Sequence, residues 1–227
     1  RSLNSGDLFV AIKADRDGHD FLSFAQDNGA SASIVEDERS DVHFPQLLVK
    51  DSLQAFHDIA HRHRLDFKGP VVGITGSCGK TSTKDTLGLL LGEEKALCTE
   101  GNLNNHLGVP LTLLRCDNSA HQYAVVEAGI NQIGEMSRLA QTISPNLVVV
   151  TIIAASHLEG LGSIDNIASE KADLFLKSNN ANTVIFPEDC LKFEKFLNRY
   201  ESGEGVIVLR EGEPTSEPNP NEAFYSI

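Results

Sequence analysis

The chain has 227 residues, 41% of them hydrophobic, and a formal net charge of −13. That is enough apolar material for a core in one large domain or two small ones, and the acidic balance speaks against nucleic acid, whose phosphate backbone selects basic surfaces. The four cysteines, Cys78, Cys98, Cys116 and Cys190, form no CxxC pair and no zinc-finger spacing with histidine. They read as free thiols in a reducing cytoplasm. No apolar run approaches the ~18 residues of a membrane helix, and the opening carries no signal-peptide pattern.

Residues 8–12 (LFVAI) predict a strand, and 20–28, with Phe21, Phe24 and Ala25, a short amphipathic helix ended by Gly29. Ser33–Val35 and Leu47–Val49 are short strand candidates. Asp51 or Ser52 can cap a helix with apolar positions at Leu53, Phe56, Ile59 and Ala60, which decays into the polar stretch His61–Lys68. Gly69-Pro70 punctuates, and a domain boundary is expected there, giving domains 1–68 and 69–227. Beyond it the pattern alternates. Strands are expected at Val71–Thr75, Ala124–Glu127, Leu147–Ile153, Thr183–Phe186 and Val206–Leu209, and helices at 79–92, 134–143, 164–177 and 189–199. Nearly unbroken apolar strands between amphipathic helices indicate an α/β fold, a mainly parallel sheet covered on both faces. The stretch 211–222 reads as a polar, Pro-rich loop and 223–227 as strand-like, and both ends look cut from something longer.

The most informative stretch is the turn behind Val71–Ile74: Thr75, Gly76, Ser77, Cys78, Gly79, Lys80, Thr81, Ser82. A strand entering a Gly-rich turn and then a helix makes an anion site, because backbone N–H groups converge and the helix N-terminus adds partial positive charge. Lys80 can reach β- and γ-phosphates and the Thr81 hydroxyl can ligate Mg²⁺. Position 74, where the general G-x₄-G-K-[ST] pattern has Gly, is Ile74. Glu127 ends an apolar strand, at the edge where open α/β sheets bind ligands, and could share a Mg²⁺ with Thr81. In isolation His157 reads as a surface-loop histidine and Lys171 as a solvated helical lysine. Asn102, Asn104 and Asn105 crowd one loop, offering donors and acceptors together, although Asn also simply favours turns. His57, His61 and His63 offer no third metal ligand of fitting geometry and read as a solvated, structural set.

The variant "GITGSCGKTSTKD" resembles the ATP-binding turn of the Mur ligases, the ATP-dependent amide-forming enzymes of peptidoglycan precursor synthesis. Four further stretches agree in order and spacing: "SGDLFVAIKADRDGHDF" (5–21), "GNLNNHLGVPLTLLR" (101–115), "VVEAGINQIGEM" (125–136) and "AASHLEGLGSIDNIASEKADLF" (154–175). The second of these is similar to the branch that adds D-alanyl-D-alanine. The resemblance implies a small N-terminal α/β domain recognising the UDP-sugar, followed by an incomplete P-loop ATPase domain. It implies Glu127 as a magnesium ligand together with Thr81, and His157 and Lys171 as ligands of a second Mg²⁺, with Lys171 carbamylated by CO₂. Lys80, Lys171 and His157 would be the catalytic residues. Ser2, Asp17, His19, Asn102, Asn104, Asn105 and Asn131 would face the UDP-muramoyl-peptide. Relatives usually carry Asn near 151–152, where Thr151 and Ile152 stand, so any polar role there is lost or moved; Gln132-Ile133 stands where a His-Gln pair is common.

The implied reaction transfers the ATP γ-phosphate to the carboxylate of UDP-N-acetylmuramoyl-tripeptide, and the amine of D-Ala-D-Ala attacks the acyl phosphate. Its catalytic demand is charge neutralisation and positioning. The partners are those substrates, with no nucleic acid and no membrane insertion, in a cytoplasmic monomer. Family members carry further sequence beyond 227, so the 227-residue piece alone is expected not to turn over. The alternatives are a sister ligase adding the third amino acid, a folylpolyglutamate-synthase-like relative, and an inactive nucleotide- or UDP-sugar-binding module.

Overall fold

The computed structural model describes residues 3–203, 205–212 and 221–225. Ser2 and most of the 211–222 loop lie outside the described residues. The chain divides into two compact units, Arg1–Ile59 and Ala60–Ile227, and the division runs through one helix, α2 (Ser52–Asp66).

In the first unit β1 (Leu8–Val10), β2 (Ala32–Val35) and β3 (Gln46–Leu48) form a parallel sheet in the order β1-β2-β3. A 3-10 turn at Gly18–Phe21 leads into α1 (Leu22–Asp27), which buries Leu22 and Ala25. Ala11, Leu22, Val35 and Val42 make a small core. The Glu36 carboxylate caps α2, accepting from the Ser52 amide and hydroxyl at 2.8 Å each.

Among the described residues the second unit is built on seven parallel strands in the order β10-β9-β8-β7-β4-β6-β5. They are β4 (Val71–Thr75), β5 (Ala96–Cys98), β6 (Tyr123–Glu127), β7 (Leu147–Val150), β8 (Thr183–Pro187), β9 (Val206–Glu211) and β10 (Glu222–Tyr225). The apolar runs of β4, β6 and β7 lie centrally, and Val71, Ile74, Ala124, Val125, Val126, Val148 and Val150 are fully buried, as expected of strands covered on both faces. The flanking helices are α3 (Lys80–Leu91), α4 (Gly108–Leu113), α5 (Glu135–Ile143), α6 (Leu158–Leu161), α7 (Ile164–Leu176) and α8 (Glu194–Glu201). The Ser163 side chain caps α7 by accepting from the Asn166 amide at 3.1 Å.

Two expectations are corrected here. The helix expected at 189–199 is a 3-10 turn, Glu188–Lys192, and then α8, interrupted at Phe193, whose backbone is extended (φ −99°, ψ 130°). That break turns Phe193 inward, tilted against Phe196, whose ring also meets Phe175 and Phe186 edge-on. The histidines of α2 are not a solvated set: His57 is buried, the His63 ring lies 2.8 Å from the Cys116 carbonyl and the His61 ring 3.4 Å from that of Thr142. Beside them the buried Arg64 guanidinium donates to the Ile143 and Ser144 carbonyls and to Asn146 Oδ1, at 2.9–3.0 Å. The end of α5 thus has partners for carbonyls that no helix can satisfy by itself.

Candidate active site

The order of strands around β4 determines what meets at the Gly-rich turn. β4 lies between β6 and β7, so the segments leaving the C-terminal ends of three neighbouring parallel strands converge there. The buried Thr75 hydroxyl donates to the Ala128 carbonyl just past β6 at 3.0 Å. The turn is also tied to the segment after β7. Ser77 N donates to the Ile152 carbonyl (2.6 Å), Ser77 Oγ to the Ala154 carbonyl (2.8 Å), and Thr151 Oγ1 to the Cys78 carbonyl (2.5 Å). Of the pair at 151–152, Thr151 places a polar side chain on the turn, while Ile152 contributes its backbone and turns its side chain outward. Gly76 has φ +148°, and a Cβ there would lie 1.9 Å from Thr151 Oγ1, so the turn and its strut admit only glycine.

Gly79 (φ +82°) is the N-cap of α3, which starts at Lys80. The first-turn amides of a helix have no intrahelical partner, and Lys80 folds back over the turn, its Nζ donating to the Gly76 carbonyl at 2.9 Å. The first-turn amides, the helix dipole and the Lys80 ammonium group thus stand together at one turn, which is anion-binding chemistry.

Glu127 stands beside this turn. Thr81 Oγ1 donates to its Oε2 at 3.0 Å and Asn104 Nδ2 to its Oε1 at 2.7 Å, while its backbone N–H donates to Thr99 Oγ1 at 2.9 Å. The residue is 2% exposed and has no cationic partner among the described residues. A buried carboxylate with two donors and no counter-charge, next to a hydroxyl, fits a hard cation that prefers oxygen ligands. No group of three or more His, Cys, Asp or Glu is placed to hold a metal ion among the described residues, so a cation there would take its remaining ligands from Thr81, water or a phosphate.

Lys171 is the other unusual charge. It lies in α7, is 1% exposed, and makes no hydrogen bond or ion pair among the described residues. Burial, with a contribution from the nearby Lys80 charge, pushes its pKa down from 10.5 to about 8. His157 is exposed and holds a left-handed backbone (φ +52°) as the N-cap of α6, where its carbonyl accepts from the amides of Gly160 and Leu161. Its ring makes no hydrogen bond among the described residues. The His157 turn lies against the turn after β6: a Cβ on Gly160 would be 2.0 Å from the Asn131 carbonyl.

The asparagines expected to face substrate have different surroundings. Asn102 and Asn131 are exposed. Asn105 Oδ1 accepts from the amides of Leu107 and Gly108 at 3.1 and 2.9 Å, closing the turn into α4. In the first unit Asp17 Oδ1 accepts from the amide of His19 (3.0 Å) and from its Nδ1 (2.6 Å), and His19 Nε2 accepts from the amides of Glu36 (2.9 Å) and Asp37 (3.3 Å). Those bonds, the His19 amide first, hold the Asp17 carboxyl below the usual range. Sequence reasoning missed Thr99 and Lys84; the Lys84 side chain is buried and donates to the Thr99 carbonyl at 2.8 Å. The only signal for Lys84 was its place one helical turn after Lys80.

The family description "Mur ligase middle domain" matches residues 74–215. The UDP-N-acetylmuramoyl-tripeptide–D-alanyl-D-alanine ligase of Escherichia coli (strain K12) is 42% identical over 177 residues, 77% of this chain and 39% of that protein. The enzyme of the same name from Rickettsia prowazekii (strain Madrid E) is 36% identical over 201 residues, 87% of this chain and 44% of that protein. Among solved structures, MurF from Acinetobacter baumannii superposes with a TM-score of 0.81 at 30% identity, covering 91% of this chain and 46% of that one. MurF ligase from Thermotoga maritima in complex with ADP gives 0.77 at 30% identity, covering 99% and 48%. The chain spans less than half the length of these relatives. With the strand order, the turn at Lys80 and the matched region in agreement, the chain belongs to the Mur ligase family.

Proposed function

We propose that this chain carries the nucleotide-holding part of an ATP-dependent amide ligase that adds D-alanyl-D-alanine to UDP-N-acetylmuramoyl-tripeptide. The observation that carries the reading is the 3.0 Å contact between Thr81 and the buried Glu127 carboxylate at the mouth of the Lys80 turn. An anion cradle and a cation ligand at one strand edge are what a magnesium–triphosphate needs. The D-alanyl-D-alanine specificity is supported by the names of the relatives this chain is similar to.

In this reading the turn amides and Lys80 hold the β- and γ-phosphates, and Thr81 and Glu127 hold the magnesium. A magnesium held there would neutralise charge on the phosphates, so that one anion could approach another. Lys80 adds positive charge on the same group, and the turn, strutted by Thr151, sets the line of approach of the substrate carboxylate. The acyl phosphate formed there, with ADP as the other product, would then be attacked by the D-Ala-D-Ala amine, which forms the amide as the C–O bond to phosphate breaks and phosphate leaves with the amine proton. Residues 1–68 would recognise the UDP-sugar and 69–227 would bind ATP, within a cytoplasmic monomer.

Lys171 deepens the reading. A buried amine with a pKa near 8 is partly neutral at physiological pH and can attack CO₂. The neutral amine forms a C–N bond to the carbon of CO₂ and gives up one proton to solvent, leaving a carbamate anion at a site that has no other charged partner for this side chain among the described residues. That anion, with His157, would serve a second Mg²⁺. ¹³C-bicarbonate should give a carbamate resonance that is lost in Lys171→Met.

The test of the main reading has two parts. Titrating the chain with ADP and Mg²⁺ should give binding that Lys80→Ala abolishes without lowering the unfolding temperature. Phosphate release by the natively expressed protein, with ATP, Mg²⁺ and UDP-N-acetylmuramoyl-tripeptide, should require D-Ala-D-Ala and be unsupported by single amino acids. Equal rates with single amino acids would refute the specificity, and undiminished binding by Lys80→Ala would refute the site.

A further inference from the structure

The three clustered asparagines look interchangeable in the sequence, yet only one of them reaches the buried carboxylate. We infer that Asn104 is a positioning residue: its amide fixes the orientation of the Glu127 carboxylate toward a divalent cation. The inference rests on the reading of Glu127 as a cation ligand.

The physical argument begins with the terminal torsion of glutamate, which is broad and roughly two-fold, so one anchor leaves the carboxylate free to turn. Glu127 has two anchors on opposite oxygens, Thr81 Oγ1 on Oε2 and Asn104 Nδ2 on Oε1. A carboxylate only accepts, so the amide must present its NH₂ to it, which decides the orientation of Asn104 as well. Asn104 is itself held in place. Its carbonyl accepts from the Gly129 amide at 2.8 Å, and its side-chain amide lies on the open face of Gly129, where a Cβ would come within 3.1–3.2 Å of Cγ, Nδ2 and Oδ1. Thr99 fixes the Glu127 backbone. The carboxylate is thus aligned before any cation arrives, with one lone-pair direction on each oxygen still open. Groups that orient metal ligands in this way typically change metal affinity by about 10–100-fold.

The test uses the whole chain with Asn104→Leu, close in shape but without a donor, and Asn104→Ala. The probes are Mn²⁺ with ADP, followed by electron paramagnetic resonance, and ADP alone in EDTA. Both variants should weaken Mn²⁺ retention in the presence of ADP by about tenfold, while ADP affinity in EDTA stays within about twofold of wild type. Asn104→Ala added to Glu127→Ala should weaken it no further. In metal-free protein the Asn104 side-chain amide resonances should move on Glu127→Gln. Equal losses with and without metal would assign Asn104 to the nucleotide or the loop fold and overturn the inference. Unchanged Mn²⁺ retention in both variants would sink the positioning role alone. A wild-type chain that binds ADP but retains no Mn²⁺ would sink the ligand reading of Glu127, and this inference with it.

Discussion

Lys171→Met should make the protein more stable at neutral pH, against the usual direction for a buried substitution. The wild-type ammonium is 1% exposed, has no anionic partner among the described residues and lies near the Lys80 charge. Its fall from 10.5 to about 8 corresponds to about 3 kcal/mol, at ~1.36 kcal/mol per pKa unit. Methionine fills a similar volume without charge, so the variant should gain roughly that amount at pH 7. The dependence on pH follows from linkage. Below pH 8 the lysine is protonated in both states and the folded state bears the whole penalty. Between about 8 and 10.5 the folded state has released the proton and the unfolded state still binds it, so wild-type stability rises relative to the variant. The advantage of Lys171→Met should therefore be full at pH 6–7 and fade through pH 8–10. Urea unfolding in CO₂-depleted buffer at a series of pH values measures it. A variant no more stable than wild type at pH 7, or an advantage that does not change with pH, would refute the picture of an uncompensated buried cation.

Thr151→Val keeps the shape of the strut but removes its hydrogen bond to the Cys78 carbonyl. It should cost about 1 kcal/mol in thermal unfolding and weaken binding of ADP with Mg²⁺ by calorimetry. Phe196→Ala empties the centre of the four-ring cluster and should cost about 3–5 kcal/mol in urea unfolding. Among the thiols, Cys78 is exposed, whereas burial pushes Cys116 up to about 11 and Cys190 up to about 12. A chromogenic disulfide reagent should label Cys78 in the native protein and reach Cys116 and Cys190 only on unfolding. ADP should protect Cys78, because it lies in the phosphate turn.

The parallel sheet was legible because its central strands carry uninterrupted apolar runs, and the turn at 75–82 because glycines, lysine and hydroxyls sit between a strand and a helix. Short elements were not. β5 has three residues, and α4 opens on glycine and contains Pro110, so neither is long enough to show a period. The Phe193 break was hidden because apolar positions continue on both sides of it. The three α2 histidines were misjudged because a helix face alone does not reveal what packs against it.

The local sequence determined the strands, the glycine turn and the side chains that could hold a phosphate, since backbone preference and hydrophobic period act over a few neighbouring residues. Only the tertiary structure decided that β6 lies beside β4, which brings Glu127 to Thr81 across 46 residues and Asn104 to Glu127 across 23. It also decided that Lys171, an ordinary helical lysine by pattern, is enclosed without a counter-charge among the described residues. Strand order and burial arise from packing between distant segments, and the strength of a charge depends on what surrounds it in space.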